Sequence, residues 1–196
     1  MSPDPTAAET VIIVSGLPRS GTSMMMRMLE AGGVPALIDN VREADEDNPR
    51  GYYEFERVKQ VKTDRAWLED AKGKVVKMVS TLLLDLPVGY AYKVVFMRRR
   101  MEEILASQRQ MLVRNDKPTD SVPEEKMAEL YRKHLTQIEA WIARQRHLAA
   151  IYVSYNEMLA NAREQVRRVN EFLGGGLDAD AMLAVVDHTL HRQRKT

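Results

Sequence analysis

The segment from residue 11 to residue 31 constrains the fold of this chain most strongly. It begins with the apolar, β-rich run VIIVS, continues through a turn that contains Gly16 and Gly21, and ends in a helical pattern that stops at a glycine pair. Glycines let backbone N–H groups approach an anion closely, and a helix N-terminus adds roughly half a positive charge and unpaired donors. The segment therefore predicts a strand, a phosphate-binding turn and a helix.

The rest of the chain continues this alternation of strands and helices. Three more β-rich runs, at 74–79, 92–97 and 150–155, are each followed by helix-like sequence. Such an order is typical of βαβ units around a parallel sheet. We predict an α/β fold, a single P-loop-type domain over 1–196 with a central parallel sheet of about four to five strands flanked by helices. The residues at 1–10 and 192–196 are expected to be flexible.

The longest predicted helix begins at Ser121, whose hydroxyl can cap the first turn together with Glu124. Its apolar residues lie on one predicted face, which indicates a core-facing helix. These residues are Met127, Leu130, Tyr131, Leu135, Ile138, Trp141, Ile142 and Leu148. The acidic, turn-rich stretch at 39–51 predicts a loop near the site.

Composition and charge exclude several classes of protein. Cysteine is absent, which excludes a disulfide scaffold, a thiolate zinc site and a cysteine nucleophile. Because 29 Lys and Arg nearly balance 28 Asp and Glu, we expect no nucleic-acid partner and only local anion binding. The run VIIVS is too short for a membrane span, so we expect a cytoplasmic protein. The pair His188 and His191 lacks clear further ligands, and no metal site is predicted.

The glycine-rich turn has the G-x-x-x-x-G outline of a nucleotide-binding loop but lacks its lysine. Thr22 stands at the lysine position, and the long cation is Arg19, two residues before Gly21. Nucleotide hydrolases and most P-loop kinases need that lysine on the β- and γ-phosphates. The spacing also fails the dinucleotide fingerprint G-x-G-x-x-G.

This turn resembles the loop of the sulfotransferase family, which uses 3′-phosphoadenosine-5′-phosphosulfate (PAPS). The family pattern P-[KR]-S-G-T-[TS] stands here as Pro18, Arg19, Ser20, Gly21, Thr22 and Ser23. The resemblance implies that these residues bind the 5′-phosphosulfate of PAPS. The other interpretation, a plain strand-turn-helix with a surface arginine, requires several special positions to coincide.

A second resemblance lies far from the first in sequence. In the family, an arginine at a strand end and a serine eight residues later bind the 3′-phosphate, with an acidic residue four before the serine. Arg99, Glu103 and Ser107 stand at these offsets. An arginine fork and a helix hydroxyl can share one phosphate. Arg98 or Arg100 could take the place of Arg99, since the sequence does not fix the register.

The segment after the last predicted strand also resembles the family. IYVSYNEML is similar to a strand followed by YEDL, in which the tyrosine lies against the adenine; the position is Tyr155. A packed core tyrosine is the other interpretation. The later REQVRRVNEFLGG is similar to a family helix that ends in FLG.

The resemblance fails at the usual base. Many cytosolic members carry a K-T-H run, and here Lys77 matches the lysine while Val79 replaces the histidine; no histidine lies near in sequence. Other branches use a glutamate, which indicates Glu54. Its neighbours Tyr52, Tyr53 and Phe55 would desolvate the carboxylate and raise its pKa. A helix-start acid is an equally weighted interpretation, and Glu43, Asp45, Glu46 and Asp47 are rivals.

The resemblance implies an enzyme that transfers a sulfuryl group from PAPS to a hydroxyl or amine, without a metal. Arg19, Lys77 and Glu54 are the predicted catalytic residues, while Arg99 and Ser107 select the donor. We expect a small-molecule or carrier-bound acceptor that enters over Tyr52, Tyr53 and the methionines at 24–28, and the short chain allows a homodimer. A P-loop phosphotransferase and a non-catalytic nucleotide-binding protein are the alternatives.

Overall fold

The protein contains one parallel sheet with strand order β2-β1-β3-β4 in a computed structural model that describes residues 9–39, 53–116, 118 and 122–186. The strands are β1 (Thr10–Gly16), β2 (Val75–Val79), β3 (Ala91–Arg98) and β4 (Leu148–Ser154). All three neighbouring pairs run parallel. This confirms the predicted α/β fold, because each β-rich run of the sequence forms one strand.

Helices flank the sheet and connect its strands. They are α1 (Thr22–Ala31), α2 (Trp67–Ala71), α3 (Met101–Arg114), α4 (Glu124–Ile142), α5 (Tyr155–Ala160), α6 (Ala162–Leu173) and α7 (Ala179–Ala184). Two short 3₁₀ helices, Glu56–Gln60 and Ser80–Asp85, flank α2 and β2.

Two apolar cores cover the two faces of the sheet. One core packs α1, α5, α6 and α7 against the strands, and the other packs α2, the 3₁₀ helices and α4 against the opposite face. The methionines of α1, at 24, 25, 26 and 28, are all buried in the first core. They are therefore packing residues of this core, and the entry of an acceptor over this part of the protein stays a prediction.

Several predicted boundaries need correction. Thr10 is buried and begins β1, so order starts inside the segment that we expected to be flexible. Leu148 begins β4 and lies outside α4, which ends at Ile142. Leu130 is 50% exposed and is not part of the core face. Tyr155 begins α5 where a strand end was predicted, since Ser154 caps this helix through the Glu157 amide.

The strand order creates a switch point at the carboxyl ends of β1 and its two neighbours. From the central β1 the chain crosses to β2 on one side, and β3 then pairs with β1 on the other side. Ligands of open parallel sheets bind outside the carboxyl ends of the strands at such a switch point. The register pairs Gly16 at the end of β1 with Val79 and Met97, so the loop after β1 begins between its two neighbours.

Some predictions fall outside the described residues. They concern the acidic loop with its four rival carboxylates, Tyr52, the Ser121 cap, the His188 and His191 pair, and the segment 192–196. Within the described ranges, no helix has the length and apolar character that crossing a membrane requires. The same ranges contain no cluster of three or more His, Asp or Glu that could hold a metal.

Candidate functional site

The loop between β1 and α1 is held in an unusual backbone conformation. Arg19 has φ 68° and Gly21 has φ 97°, both in the left-handed region that side chains disfavour. A Cβ at Gly21 would lie 2.4 Å from the Tyr155 ring, and one at Gly16 would lie 2.6 Å from the Met97 carbonyl oxygen. A side chain at either position would therefore collide with its neighbours, and the backbone conformation also favours glycine.

The start of α1 meets the requirements of an anion site. Gly21 occupies the N-cap position and supplies no capping side chain, and no acidic residue lies in the first turn. The Ser20 hydroxyl is fully buried and has no hydrogen-bond partner among the residues that the structure describes. A buried polar atom normally has a partner, so this hydroxyl and the start of α1 are compatible with an anion such as a phosphate group.

The structure joins the two phosphate motifs through Arg19. Its Nε donates to Ser107 Oγ of α3 at 2.9 Å, and its carbonyl oxygen accepts from Arg99 Nη1 at 3.1 Å. Residues 80 and more apart in sequence thus meet in one hydrogen-bonded array. The sequence predicted that all three bind PAPS, with Arg19 at the 5′ end of the donor, and these roles stay predictions.

Among the three consecutive arginines that the sequence left open, Arg99 contacts the loop; its binding of the 3′-phosphate stays a prediction. Its side chain is 8% exposed and its Nε donates to Glu103 Oε2 at 2.8 Å. Its guanidinium lies 4.6 Å from the centre of the Tyr155 ring. Arg98 instead pairs with Glu139 and lies over the Tyr152 ring.

Asn156 completes this arrangement and was not predicted from the sequence. Its Nδ2 donates to Glu103 Oε1 at 2.8 Å, and its Oδ1 accepts from the Arg100 backbone N–H at 3.3 Å. Both Glu103 oxygens are therefore held in place, and α5 is tied to the start of α3. The only sequence signal was its position directly after Tyr155.

Tyr155 packs beneath the loop. It is 5% exposed, lies against Gly21 and forms one side of the Arg99 site. This geometry gives the side chain a packing role that the sequence analysis kept as an alternative. Its contact with adenine stays a prediction.

Lys77 reaches the start of α1 from the neighbouring strand β2. Its Nζ donates to Ser23 Oγ at 3.4 Å and lies 3.8 Å from Glu54 Oε1. The Lys77 side chain is 14% exposed and that of Glu54 25%. Two of the predicted catalytic residues are thus neighbours, and both lie beside the loop.

Two aromatic neighbours of Glu54 each have a partner of their own. Phe55 packs edge-on against Trp67 at 5.7 Å between ring centres, and the Tyr53 hydroxyl donates to Glu30. The Glu54 carboxylate faces the ammonium group of Lys77. The helix-start interpretation of Glu54 fails, because the 3₁₀ helix begins at Glu56.

A comparison with protein families decides which class of P-loop protein this is. The family of the sulfotransferase domain matches residues 9–196. The chain belongs to the sulfotransferase family. It is therefore an enzyme that transfers a sulfuryl group from PAPS to an acceptor, and nothing supports the phosphotransferase alternative.

Solved sulfotransferase structures share the fold at low identity. The sulfotransferase domain from the Synechococcus PCC 7002 olefin synthase has a TM-score of 0.58 at 14% identity, over 95% of this chain and 80% of that one. Sulfotransferase STF9 from Mycobacterium avium has a TM-score of 0.56 at 15% identity, and the match covers 98% of this chain and 70% of that one. Mouse sulfotransferase SULT7A1 complexed with PAP has a TM-score of 0.52 at 14% identity, and the match covers 93% of this chain and 64% of that one. A search of curated proteins found no match.

In this sulfotransferase a histidine does lie near the end of β2, although it is distant in sequence. His134 Nε2 of α4 lies 2.8 Å from Ser80 Oγ, one residue beyond Val79. Burial lowers the pKa of His134 below its usual value of 6.5. The sequence analysis missed this residue because α4 packs against the 3₁₀ helix that follows β2, a contact that no local pattern encodes.

Proposed function

We propose that this sulfotransferase selects PAPS by its 3′-phosphate through Arg99 and Ser107, and holds the 5′-phosphosulfate on the loop from Pro18 to Ser23. The array that links Arg19, Ser107 and Arg99 carries this proposal. It brings a guanidinium and a hydroxyl from separate elements to one edge of the loop. Such groups bind phosphate through charge-assisted hydrogen bonds.

A thermal-shift comparison tests this donor. Adenosine 3′,5′-bisphosphate should stabilise the fold by roughly 2.7 kcal/mol at about 100 times its dissociation constant. That corresponds to a rise in Tm of roughly 5–11 °C for a chain of this size. ADP, which lacks the 3′-phosphate, should give a much smaller shift. Equal shifts, or a Mg²⁺-dependent shift with ATP alone, would contradict the proposal.

Matched variants on α3 make this test specific. Arg99→Ala should remove most of the preference for the bisphosphate, since a charge-assisted bond contributes roughly 1.5–3 kcal/mol, and Ser107→Ala should cause a milder loss. Arg109→Ala is the control, because Arg109 is exposed on the same helix and pairs with Glu124. If Arg99→Ala keeps the full preference for the bisphosphate over ADP, another residue must recognise the 3′-phosphate.

We propose that Glu54 is the base that deprotonates the acceptor and that Lys77 stabilises charge on the transferring group and the leaving phosphate. The support is their contact beside Ser23, at the loop that fits the 5′ end of the donor. Positioning and charge neutralisation by such groups supply most of the catalysis in transfers of this kind. Because guanidinium and ammonium groups surround the loop, we propose that no metal takes part; turnover should persist in EDTA.

The acceptor and the assembly are proposals from the sequence. We propose a small-molecule or carrier-bound hydroxyl or amine, a single domain over 1–196 that forms a homodimer, and a cytoplasmic location without a nucleic-acid partner. The balance of 29 basic and 28 acidic residues supports the absence of a nucleic-acid partner. Light scattering coupled to size exclusion tests the homodimer, and a monomer at assay concentration would contradict it.

A further inference from the structure

We infer that Asp39 is a positioning residue for sulfuryl transfer, because it holds the backbone beside Glu54 so that the Glu54 carboxylate faces Lys77. The inference rests on the proposed role of Glu54 as the base and deepens it. Asp39 is the first residue of the acidic stretch at 39–51 and is half-buried. It acts through Glu54 and not on the substrate.

Two hydrogen bonds of Asp39 hold the backbone that follows Glu54. The Asp39 backbone N–H donates to the Glu54 carbonyl oxygen at 3.2 Å. Its carboxylate oxygen Oδ2 accepts from the Glu56 backbone N–H at 2.5 Å. Hydrogen bonds to an ionised carboxylate are stronger than those between neutral groups. Because the bonds reach the peptide groups on both sides of Phe55, they fix the direction of the chain as it leaves Glu54.

Asp39 is itself anchored to the edge of the sheet. Ala36 forms a parallel bridge with Val75 of β2. The Leu37 N–H donates to the Val75 carbonyl oxygen at 2.8 Å, and the Val75 N–H donates to the Pro35 carbonyl oxygen at 2.9 Å. The chain at 35–37 therefore runs along β2 toward its carboxyl end, and Asp39 follows two residues later.

This anchor joins both members of the Glu54–Lys77 pair to one strand. Lys77 lies on β2 two residues after Val75, and its Nζ is 3.8 Å from Glu54 Oε1. Lys77 is thus placed by β2 directly, and Glu54 is placed by the same strand through Asp39. A reactive group keeps a productive geometry when residues bound to rigid elements support it. Loss of the Asp39 carboxylate would therefore displace Glu54 without removing either charge of the pair.

The residue before Glu54 is also held. Tyr53 has φ 52°, in the left-handed region that side chains disfavour. Its ring packs against the core that contains α1, and its hydroxyl donates to Glu30 of that helix. A backbone of this kind persists only where the surroundings hold it, and it is found preferentially at functional sites. Glu54 is therefore fixed from α1 on one side and from Asp39 on the other.

Carbodiimide cross-linking tests the geometry without an acceptor. The reagent joins a carboxylate and an ammonium group in contact as an amide, and mass spectrometry measures the yield for Glu54 and Lys77. Asp39→Ala should lower this yield several-fold. Asp39→Asn should keep it, because the amide oxygen can still accept from the Glu56 N–H. The exposed pair of Lys72 and Glu69 is the internal reference. An unchanged yield in Asp39→Ala would overturn the inference.

Turnover tests the consequence for the reaction. It is measured as release of adenosine 3′,5′-bisphosphate from PAPS, with water as the acceptor hydroxyl. Asp39→Ala should lower kcat by about 10- to 100-fold, as expected when a reacting group is misplaced by about 1 Å. It should not weaken binding of the bisphosphate, which together with circular dichroism confirms that the variant folds. Asp39→Asn should recover most of the turnover, and equal losses in the two variants would contradict a role through the Glu56 N–H.

Glu56→Ala is the matched control. It removes a neighbouring carboxylate that is 45% exposed and pairs with Lys59, but it keeps the backbone N–H that Asp39 accepts. Turnover and the cross-link should therefore match those of the unmodified enzyme. A loss as large as that of Asp39→Ala would show that any change of charge in this segment has the same effect, and would overturn the assignment to Asp39.

A combined variant separates this inference from the proposed function. Asp39→Ala should cause no further loss of turnover in a Glu54→Gln enzyme, because it acts through that carboxylate. A full multiplicative loss would contradict the inference. If Glu54→Gln keeps full turnover, the proposed base is wrong, and the cross-link still decides whether Asp39 positions this side chain. If Glu54→Gln loses turnover and Asp39→Ala does not, only the role of Asp39 is wrong.

Discussion

Replacing Gly21 by alanine should damage both the stability and the nucleotide binding of this sulfotransferase. The backbone of Gly21 lies in the left-handed region, with φ 97°. An added Cβ would also lie 2.4 Å from Cδ2 and 3.1 Å from Cε2 of Tyr155. Carbon atoms in contact are normally about 3.5–4.0 Å apart, so either the ring or the loop must move.

The magnitude can be divided into two contributions with a matched control. Gly33 has a similar φ of 101°, but a Cβ there would meet nothing within 4 Å. Gly33→Ala should therefore cost only the left-handed penalty of about 1–2 kcal/mol. Gly21→Ala adds the cost of overpacking, typically about 1–3 kcal/mol. We expect about 2–5 kcal/mol in total, and the difference between the variants measures the contact with Tyr155.

Urea denaturation of the two variants and calorimetry with adenosine 3′,5′-bisphosphate provide the measurements. Because Tyr155 also lies under the Arg99 guanidinium, displacement of the ring should weaken nucleotide binding in Gly21→Ala but not in Gly33→Ala. If both variants lose the same free energy of unfolding, the close approach of Tyr155 to the loop is wrong. If Gly21→Ala is destabilised but binds the bisphosphate with unchanged affinity, the loop and the proposed 3′-phosphate site are not coupled through Tyr155.

Two further predictions concern ionisable groups. Glu54→Gln should lower turnover by about a hundred- to ten-thousand-fold, since the carboxylate acts on the acceptor. It should not weaken bisphosphate binding, because it leaves Lys77 available to the phosphate. Full turnover with an identified acceptor would move the base elsewhere, and a large loss of affinity would make Glu54 structural. Burial lowers the pKa of His134 and His147 below 6.5 in the folded state, so the unfolded chain takes up protons first as the pH falls. The free energy of unfolding should therefore decrease as the pH falls below about 6.5, with a shallower decrease in His134→Gln; denaturation curves that do not change between pH 7.5 and 5.5 would contradict this.

The sequence predicted the fold because its signals are local. Apolar β-rich runs and the glycines of the loop act within a few residues, so the four strands and α1 appear where the patterns place them. The wrong predictions concern residues whose secondary structure or burial is decided by tertiary packing. Leu148 continues the apolar spacing of α4, but it begins a strand because the helix ends at Ile142. Leu130 fits the same face, yet nothing covers it fully.

The candidate site was predictable as a set of residues but not as a geometry. The loop pattern and the offset between Arg99 and Ser107 predicted groups that the structure brings together, and their binding of phosphate stays a prediction. The direction of the Arg19 side chain depends on the packing of α3 beside the loop, and no spacing in the sequence encodes it. His134 reaches Ser80 for a similar reason, because α4 packs on the 3₁₀ helix after β2.

The absence of a lysine in the loop is explained by where the cations of this site originate. Lys77 comes from β2 and Arg99 from the end of β3, and each has a carboxylate partner, Glu54 and Glu103 respectively. In the absence of a donor, these carboxylates offset the repulsion that cations gathered around one loop would otherwise experience. The Arg99 pair is the shorter and more buried one, at 2.8 Å against 3.8 Å for the Lys77 pair, so Arg99 stays fixed while Lys77 can exchange Glu54 for an incoming phosphate oxygen. Donor binding at Lys77 would then release the Glu54 carboxylate at the position where an acceptor must lose its proton.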